Sequence, residues 1–260
     1  MKVYLFVIIA LLFLPLNATG VDIKYAGCVT IQENLLKEAK VLYEKKTGRT
    51  IGLSGGGAGA GIKGVSSGLV DIAGVSRPLR PDEIAQGLVA YTVGYSAVAV
   101  VVNKELNINN LSIKELKDIF TGKIKNWKEL KGPDLPVKVV IPSKGYASRD
   151  EFDRVVMEKE RFAEEAIITP EQTLSETVDS IKGAIGIVDT SMLDPKKVKV
   201  VRIEGVLPEK TNIKSGRYKL VIPINLVTNG EAKGIIKEFI DYLLSPEGQS
   251  IVEKRFIGTN

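Results

Sequence analysis

Hydrophobic residues along this chain follow two spacings in turn: short apolar runs broken by glycine or proline, and longer stretches with apolar positions three or four apart. Val21–Tyr25 predicts a strand, and Gln32–Lys46, with Leu35, Ala39 and Leu42 on one face, predicts a helix stopped by Gly48. A strand at Thr50–Leu53 breaks into glycine, after which Ile62, Val65 and Leu69 recur at helical spacing to Val70. A strand at Asp71–Gly74, a short helix after Pro81 and a long apolar strand at Tyr91–Asn103 follow. Ser112 and Glu115 form a capping-box pair that opens a helix running to Thr121. The strand Val137–Ile141 then empties into Ser143–Arg149, where Ser148 and Glu151 predict a second capping box. Ala184–Val188 and the long Lys219–Asn229 read as strands, with closing helices at Glu231–Leu244 and Pro246–Phe256. Such alternation predicts an α/β fold of mostly parallel sheets whose ligands sit at the carboxyl ends of the strands. Two long strands flanking a middle block predict a chain that leaves one lobe, builds a second and returns.

The glycine run Gly55-Gly56-Gly57-Ala58-Gly59 between a strand and a helix has a chemical meaning. Glycine lets backbone N–H groups converge on a ligand, and a helix N-terminus adds unpaired N–H groups carrying partial positive charge. The Gly145–Arg149 loop repeats the arrangement, so two anion cradles are expected. Gly59-Ala60-Gly61-Ile62-Lys63-Gly64 also fits the spacing of a dinucleotide-binding turn, but position 79, where an acidic residue would be expected, is Leu79.

Composition removes other chemistries. With no histidine, Ser-His-Asp and Cys-His nucleophile systems and His-based zinc sites are excluded, and a single cysteine excludes intrachain disulfides. No cofactor and no metal are expected. The first twenty residues run Lys2, then apolar Val3–Leu16, then Asn17-Ala18-Thr19-Gly20, the order of a secretory signal peptide, and the run is short for a membrane span. Export with cleavage near Gly20 is the first expectation, with an uncleaved N-terminal anchor as the alternative. Cys28 follows small residues in the manner of a lipidation site but has eleven residues between it and Leu16, and a structural role at a strand end is favoured. The 36 basic and 31 acidic residues are interspersed, which is no nucleic-acid signature.

Gly27-Cys28-Val29-Thr30, the Gly55–Ile62 cradle, Asp71–Leu79, Phe120-Thr121-Gly122-Lys123-Ile124-Lys125-Asn126-Trp127, Gly183-Ala184-Ile185-Gly186 and Phe239–Gly248 together resemble the phosphate-binding proteins of ABC transporters. The resemblance covers nearly the whole mature chain. It implies a two-lobed periplasmic-binding-protein fold of type II, a cleft between lobes that closes on one oxyanion, and a membrane permease as partner, with a phosphate sensor or scavenger of the same fold that feeds no permease as the alternative. The expected division is residues 1–20 as signal, 21–93 with 222–260 as the first lobe, and 94–221 as the second. The protein is expected to be a monomer and not an enzyme.

Carried over position by position, the resemblance places the phosphate site at Val29, Thr30, Gly57, Ala58, Gly59, Ser76, Arg77, Gly145, Tyr146, Ala147, Ser148 and Arg149. Four positions depart from the pattern. Val29 and Ala58 stand where hydroxyls are common, Pro142 where an arginine is usual, and Ser76 where the best-known members have aspartate. An aspartate there accepts the proton of hydrogen phosphate and repels an unprotonated oxyanion, whereas serine can also donate. Phosphate is the expected ligand, with sulfate, arsenate, molybdate and tungstate as alternatives. Arg149 is expected to fork two oxygens of the anion, and Arg77 to do likewise or pair with an acid across the cleft.

Overall fold

The computed structural model describes residues 20–259. The expected signal segment, apart from Gly20, lies outside the described residues. No helix among the described residues is long and apolar enough to cross a membrane.

Strands β1 (Ile23–Gly27), β2 (Ile51–Gly56) and β3 (Ile72–Val75) alternate with helices. Between β1 and β2 runs one helical stretch made of α1 (Val29–Ile31), a π turn at Gln32–Leu36 and α2 (Lys37–Thr47), ended by Gly48 at φ 74°. With that wide turn at its start, the buried stripe runs Leu35, Ala39, Tyr43 in steps of four. Leu42, expected on the same face, is 39% exposed. Helix α3 (Gly57–Ser66) follows β2, and α4 (Pro81–Ala85) leads to β4 (Leu88–Asn103). The chain then forms β5 (Asn110–Leu111), α5 (Ile113–Phe120), β6 (Lys138–Pro142), α6 (Ala147–Phe152), β7 (Ile167–Thr169), α7 (Leu174–Ser180) and β8 (Ala184–Asp189). The remaining elements are β9 (Val198–Val200), β10 (Arg202–Ile203), α8 (Lys210–Lys214), β11 (Val221–Asn229), α9 (Gly234–Leu244), α10 (Pro246–Val252) and β12 (Ile257–Gly258).

The main sheet has the order β2-β1-β3-β11-β4-β8-β6-β7, with β12 and β9 also on β4. β1 pairs in parallel with β2 and β3, and β6 in parallel with β7 and β8, so the alternation read from the sequence does place parallel strands in two groups. The strands between them are antiparallel. β4 pairs with β11 from Leu88 to Ala97 and with β8 from Val98 to Val102, so this one strand passes from the first group to the second. The return lies beside it, where Val98 N–H donates to Leu220 O at 2.9 Å and Val221 pairs with Ala97. Ala97 through Val102 have no exposed surface, which is why this stretch reads as an unbroken apolar run rather than an alternating one.

Each group has its own aromatic packing. In the first, Tyr43 sits 5.0 Å from Phe239 and 5.2 Å from Tyr242, tying α2 to α9. In the second, Phe120 packs 4.6 Å from Phe152. Trp127 is fully buried and its indole N–H donates to Gly183 O at 2.9 Å, so it is a structural residue under a loop.

The ends of β1 and β3 approach too closely for a side chain at Gly74. A Cβ there would lie 1.9 Å from Tyr25 Oη, whose hydroxyl donates to Cys28 O at 3.0 Å. Gly74→Ala is therefore expected to lower stability by about 3 kcal/mol through overpacking. Urea unfolding should show a reduced midpoint with an unchanged slope.

Candidate functional site

The carboxyl ends of β1, β2, β3, β6 and β8 all open onto one cavity of about 1040 Å³. Its walls come from both strand groups. On one side lie Cys28, Val29, Thr30, Gly56–Gly59, Ser76 and Arg77; on the other Lys144–Ala147, Asp150, Gln172 and Ser191. Ten of the twelve expected site residues line it: Val29, Thr30, Gly57, Ala58, Gly59, Ser76, Arg77, Gly145, Tyr146 and Ala147.

The first cradle forms because β2 ends in two glycines that the chain can wind left-handed. Gly56 has φ 108° and Gly57 φ 76°, conformations that L side chains rarely adopt, and this turn starts α3 with the amides of its first residues outside the helical ladder. The second cradle follows β6, with Gly145 at φ 96° and α6 starting at Ala147.

That start corrects an expectation. Ser148 and Glu151 make no capping box: Tyr146 stands at the cap position, and Ser148 lies inside the helix, fully buried, with its hydroxyl donating to Glu171 Oε1. Glu151 instead takes the Arg154 fork at 2.9 and 2.6 Å. Because the helix starts at Ala147, one residue before it, Ser148 has helical backbone and its hydroxyl is turned to a buried carboxylate acceptor.

Arg149 also departs from expectation. Its Nη1 donates to Pro142 O at 2.8 Å and its guanidinium lies 5.2 Å from the Phe162 ring centre, so it braces the loop against the end of β6 rather than lining the cavity. Neither Ser148 nor Arg149 lines the cavity. Arg77 does, but its fork is taken by Glu83 of α4 at 2.8 and 2.7 Å, and Nη1 also donates to Pro78 O at 2.9 Å. It pairs with an acid on its own side, not across the cleft. Arg77 holds the almost completely buried Glu83 carboxyl well down, to about 2, against the opposing effect of burial.

The floor is polar but carries no charge at position 76. Ser76 is 7% exposed and its hydroxyl donates to Cys28 Sγ at 3.2 Å, while Cys28 N–H donates to Gly74 O at 3.0 Å. Cys28 is thus a wall residue at a strand end.

Several residues that shape the site were not singled out in the sequence. Asn225 of β11 accepts from Thr92 at 2.8 Å and donates to Arg77 O at 2.8 Å, fixing the floor to the paired long strands. Behind the second cradle, Glu171 Oε1 also accepts from Asp189 N–H at 2.8 Å, and Asp189 Oδ1 accepts from Ser191 N–H at 2.8 Å and from the Ser96 hydroxyl. Burial, then the neighbouring Asp189, push the Glu171 carboxyl up to about 7, and burial pushes Asp189 up as well. Glu171 lies in a short turn without an apolar-periodic signal, and Asp189 is the acid that ends the apolar run of β8, so each reads from sequence as a surface residue. Tyr146 at the rim donates its hydroxyl to Gln172 Oε1 at 2.8 Å.

This architecture is that of a periplasmic-binding-protein fold of type II, with its cleft between two strand groups joined by paired crossing strands. Residues 16–247 match the PBP superfamily domain. The phosphate-binding protein PstS of Bacillus subtilis is 33% identical over 238 residues, 91% of this chain and 79% of that protein. A Clostridium perfringens structure with bound phosphate, assigned as a phosphate ABC transporter substrate-binding protein, matches with TM-score 0.78 and 30% identity over 92% of this chain and 99% of that one. An ABC-type phosphate transport receptor from Vibrio cholerae matches with TM-score 0.82 and 25% identity over 90% and 98%. The chain belongs to the phosphate-binding protein family of ABC transporters, within the PBP superfamily.

The Arg77–Glu83 pair gives a test of the cleft's own electrostatics. Glu83 has its folded-state pKa depressed, so its contribution to stability is present above about pH 4.5 and is lost as pH falls toward 2. Arg77→Ala removes the fork and leaves only Arg80, at 2.9 Å, on a buried carboxylate. The substitution is expected to cost about 2 kcal/mol at pH 7. Unfolding of both proteins at pH 7 and pH 3 should show the gap narrowing at the lower pH.

Proposed function

We propose that this protein captures inorganic phosphate in the cleft and presents it to the membrane permease of an ABC transporter. The observation that carries the reading is the convergence of two glycine-opened, N–H-rich segments, Gly57–Gly59 and Gly145–Ala147, from different strand groups onto one cavity that also holds Thr30 and Ser76. Backbone donors fixed in advance and aimed inward suit a compact oxyanion. The relatives named for phosphate binding, and the bound phosphate in the Clostridium structure, support the same ligand.

The two strand groups act as lobes, dividing near residues 93/94 and 221/222, that close over the anion about the paired β4 and β11. The binding set is Val29 and Thr30, the amides of Gly57, Ala58 and Gly59, Ser76, Arg77, and the loop Gly145, Tyr146 and Ala147. The protein acts by capture and release without chemical turnover, as a monomer outside the cytoplasm, either cleaved near Gly20 or held by its N-terminus.

One observation favours a second reading, a site shared with another oxyanion. Ser76 hydrogen-bonds to a thiol and carries no negative charge, so the floor does not repel an unprotonated anion such as sulfate.

Calorimetric titration of the mature protein with phosphate, sulfate, arsenate, molybdate and tungstate tests both readings. Phosphate is expected to bind most tightly. Ser76→Asp is expected to raise the preference for phosphate over sulfate by about tenfold or more, since a buried carboxylate faces an anion with no proton to offer. No phosphate binding, or tighter binding of another anion, overturns the first reading. An unchanged phosphate-to-sulfate ratio in Ser76→Asp overturns the role of position 76.

A further inference from the structure

Behind the second cradle lies a buried polar chain that anion binding by backbone amides does not itself require. Ser148, Glu171, Asp189 and Ser96 are each at most 5% exposed and run in line from the cradle helix to the crossing strand β4. Glu171 Oε1 receives the Ser148 hydroxyl and the Asp189 amide, and no basic side chain is bonded to it among the described residues. The titratable group facing it is Asp189 of β8, a second buried acid. On α6 the charges are otherwise engaged: Glu151 holds Arg154, Arg149 turns to Pro142 O, and Asp150 lines the cleft. On the loop before α6, Lys144 is exposed at the rim and Tyr146 bonds Gln172.

An ionised Glu171 therefore sets a negative charge one hydrogen bond behind the loop whose amides would hold an anion, with little water between to screen it. In that state the Ser148 hydroxyl is the donor and the carboxylate the acceptor of their bond. We propose that anion capture in this cleft takes up one proton from solvent onto Glu171, which reverses the Ser148–Glu171 hydrogen bond. In the protonated state the Glu171 carboxyl donates to Ser148 Oγ, and the negative charge behind the cradle is gone. Ser191 on the same wall has a buried hydroxyl without a partner among the described residues, a side-chain donor available to the anion. Because the Glu171 carboxyl sits near 7 before any ligand arrives, the uptake falls within the neutral range. The inference rests on the phosphate reading and adds to it a pH dependence that Ser76 alone does not give.

The test is calorimetric titration of inorganic phosphate into the wild type and Glu171→Gln, in buffers of different ionisation heat, between pH 6 and 8. Phosphate's own ionisation is common to both proteins and cancels in their difference. The wild type is expected to take up about half a proton more than Glu171→Gln near pH 7, and to lose about three- to tenfold more affinity across the range. Equal proton uptake in the two proteins overturns the inference while leaving phosphate capture intact. No phosphate binding by either overturns the phosphate reading and this inference with it. Should Glu171→Gln fail to fold, carbon-13 titration of the wild-type Glu171 carboxyl decides: its midpoint must rise on saturation with phosphate, and an unmoved midpoint overturns the proposal.

Discussion

Everything in this protein hangs on the pairing of β4 with β11. Among the described residues β4 alone takes part in both strand groups, and β11 returns beside it where the pairing partner of β4 changes at Ala97/Val98. A buried strand hydrogen-bonded on both edges cannot slip without exposing a run of fully buried residues, so the two halves share a fixed seam. Asn225 and Ser96 show how the seam reaches the site: one holds the Arg77 carbonyl, the other holds Asp189 behind the second cradle. Each wall of the cleft is thus hydrogen-bonded to a crossing strand.

The electrostatics of the cleft follow from where its charges are already spent. Arg77 is committed to Glu83 and Arg154 to Glu151, so the fixed cations nearest the cavity are largely neutralised before a ligand arrives. Lys144 and Arg255 also line the cavity, and at the two glycine turns what faces it is backbone. Amides at the two glycine turns carry partial charge that needs no counter-ion and cannot swing away, which favours recognition of shape and hydrogen-bond pattern over simple attraction of negative charge. A net balance of only a few positive charges over the chain fits a site that does not work by bulk attraction.

The strand and helix order, the glycine cradles and the long crossing strands were legible in the sequence because each rests on a local signal: a periodic apolar face, a glycine that must wind left-handed, a capping pair such as Ser112 and Glu115, whose bonds are present at 3.2 and 2.7 Å. The misreadings share one feature, a side chain already held by a partner that the motif does not name. Ser148 and Glu151 have capping-box spacing, yet Glu171 and Arg154 hold them; Arg149 carries the charge of an anion ligand, yet the Pro142 carbonyl and the Phe162 ring hold it. Spacing proposes a partner but does not rank it against others within reach, whether near in sequence, as Arg154 and Pro142 are, or distant, as Glu171 is. Glu171, Asp189 and Asn225 escaped notice because the bonds that matter at the site reach other elements.

The floor of the cleft carries the consequence furthest. A thiol is a weak acceptor, so the Ser76–Cys28 contact holds the serine hydroxyl loosely and leaves it able to turn to a ligand at little cost. An aspartate at 76 would have fixed the floor as an acceptor; serine leaves its polarity open. The acidic groups are instead displaced to the opposite wall, with Asp150 on its surface and the Glu171–Asp189 pair behind it. The negative charge that an oxyanion's protonation state would meet is thus carried by the second strand group, where it is buried and linked by hydrogen bonds to the crossing strand.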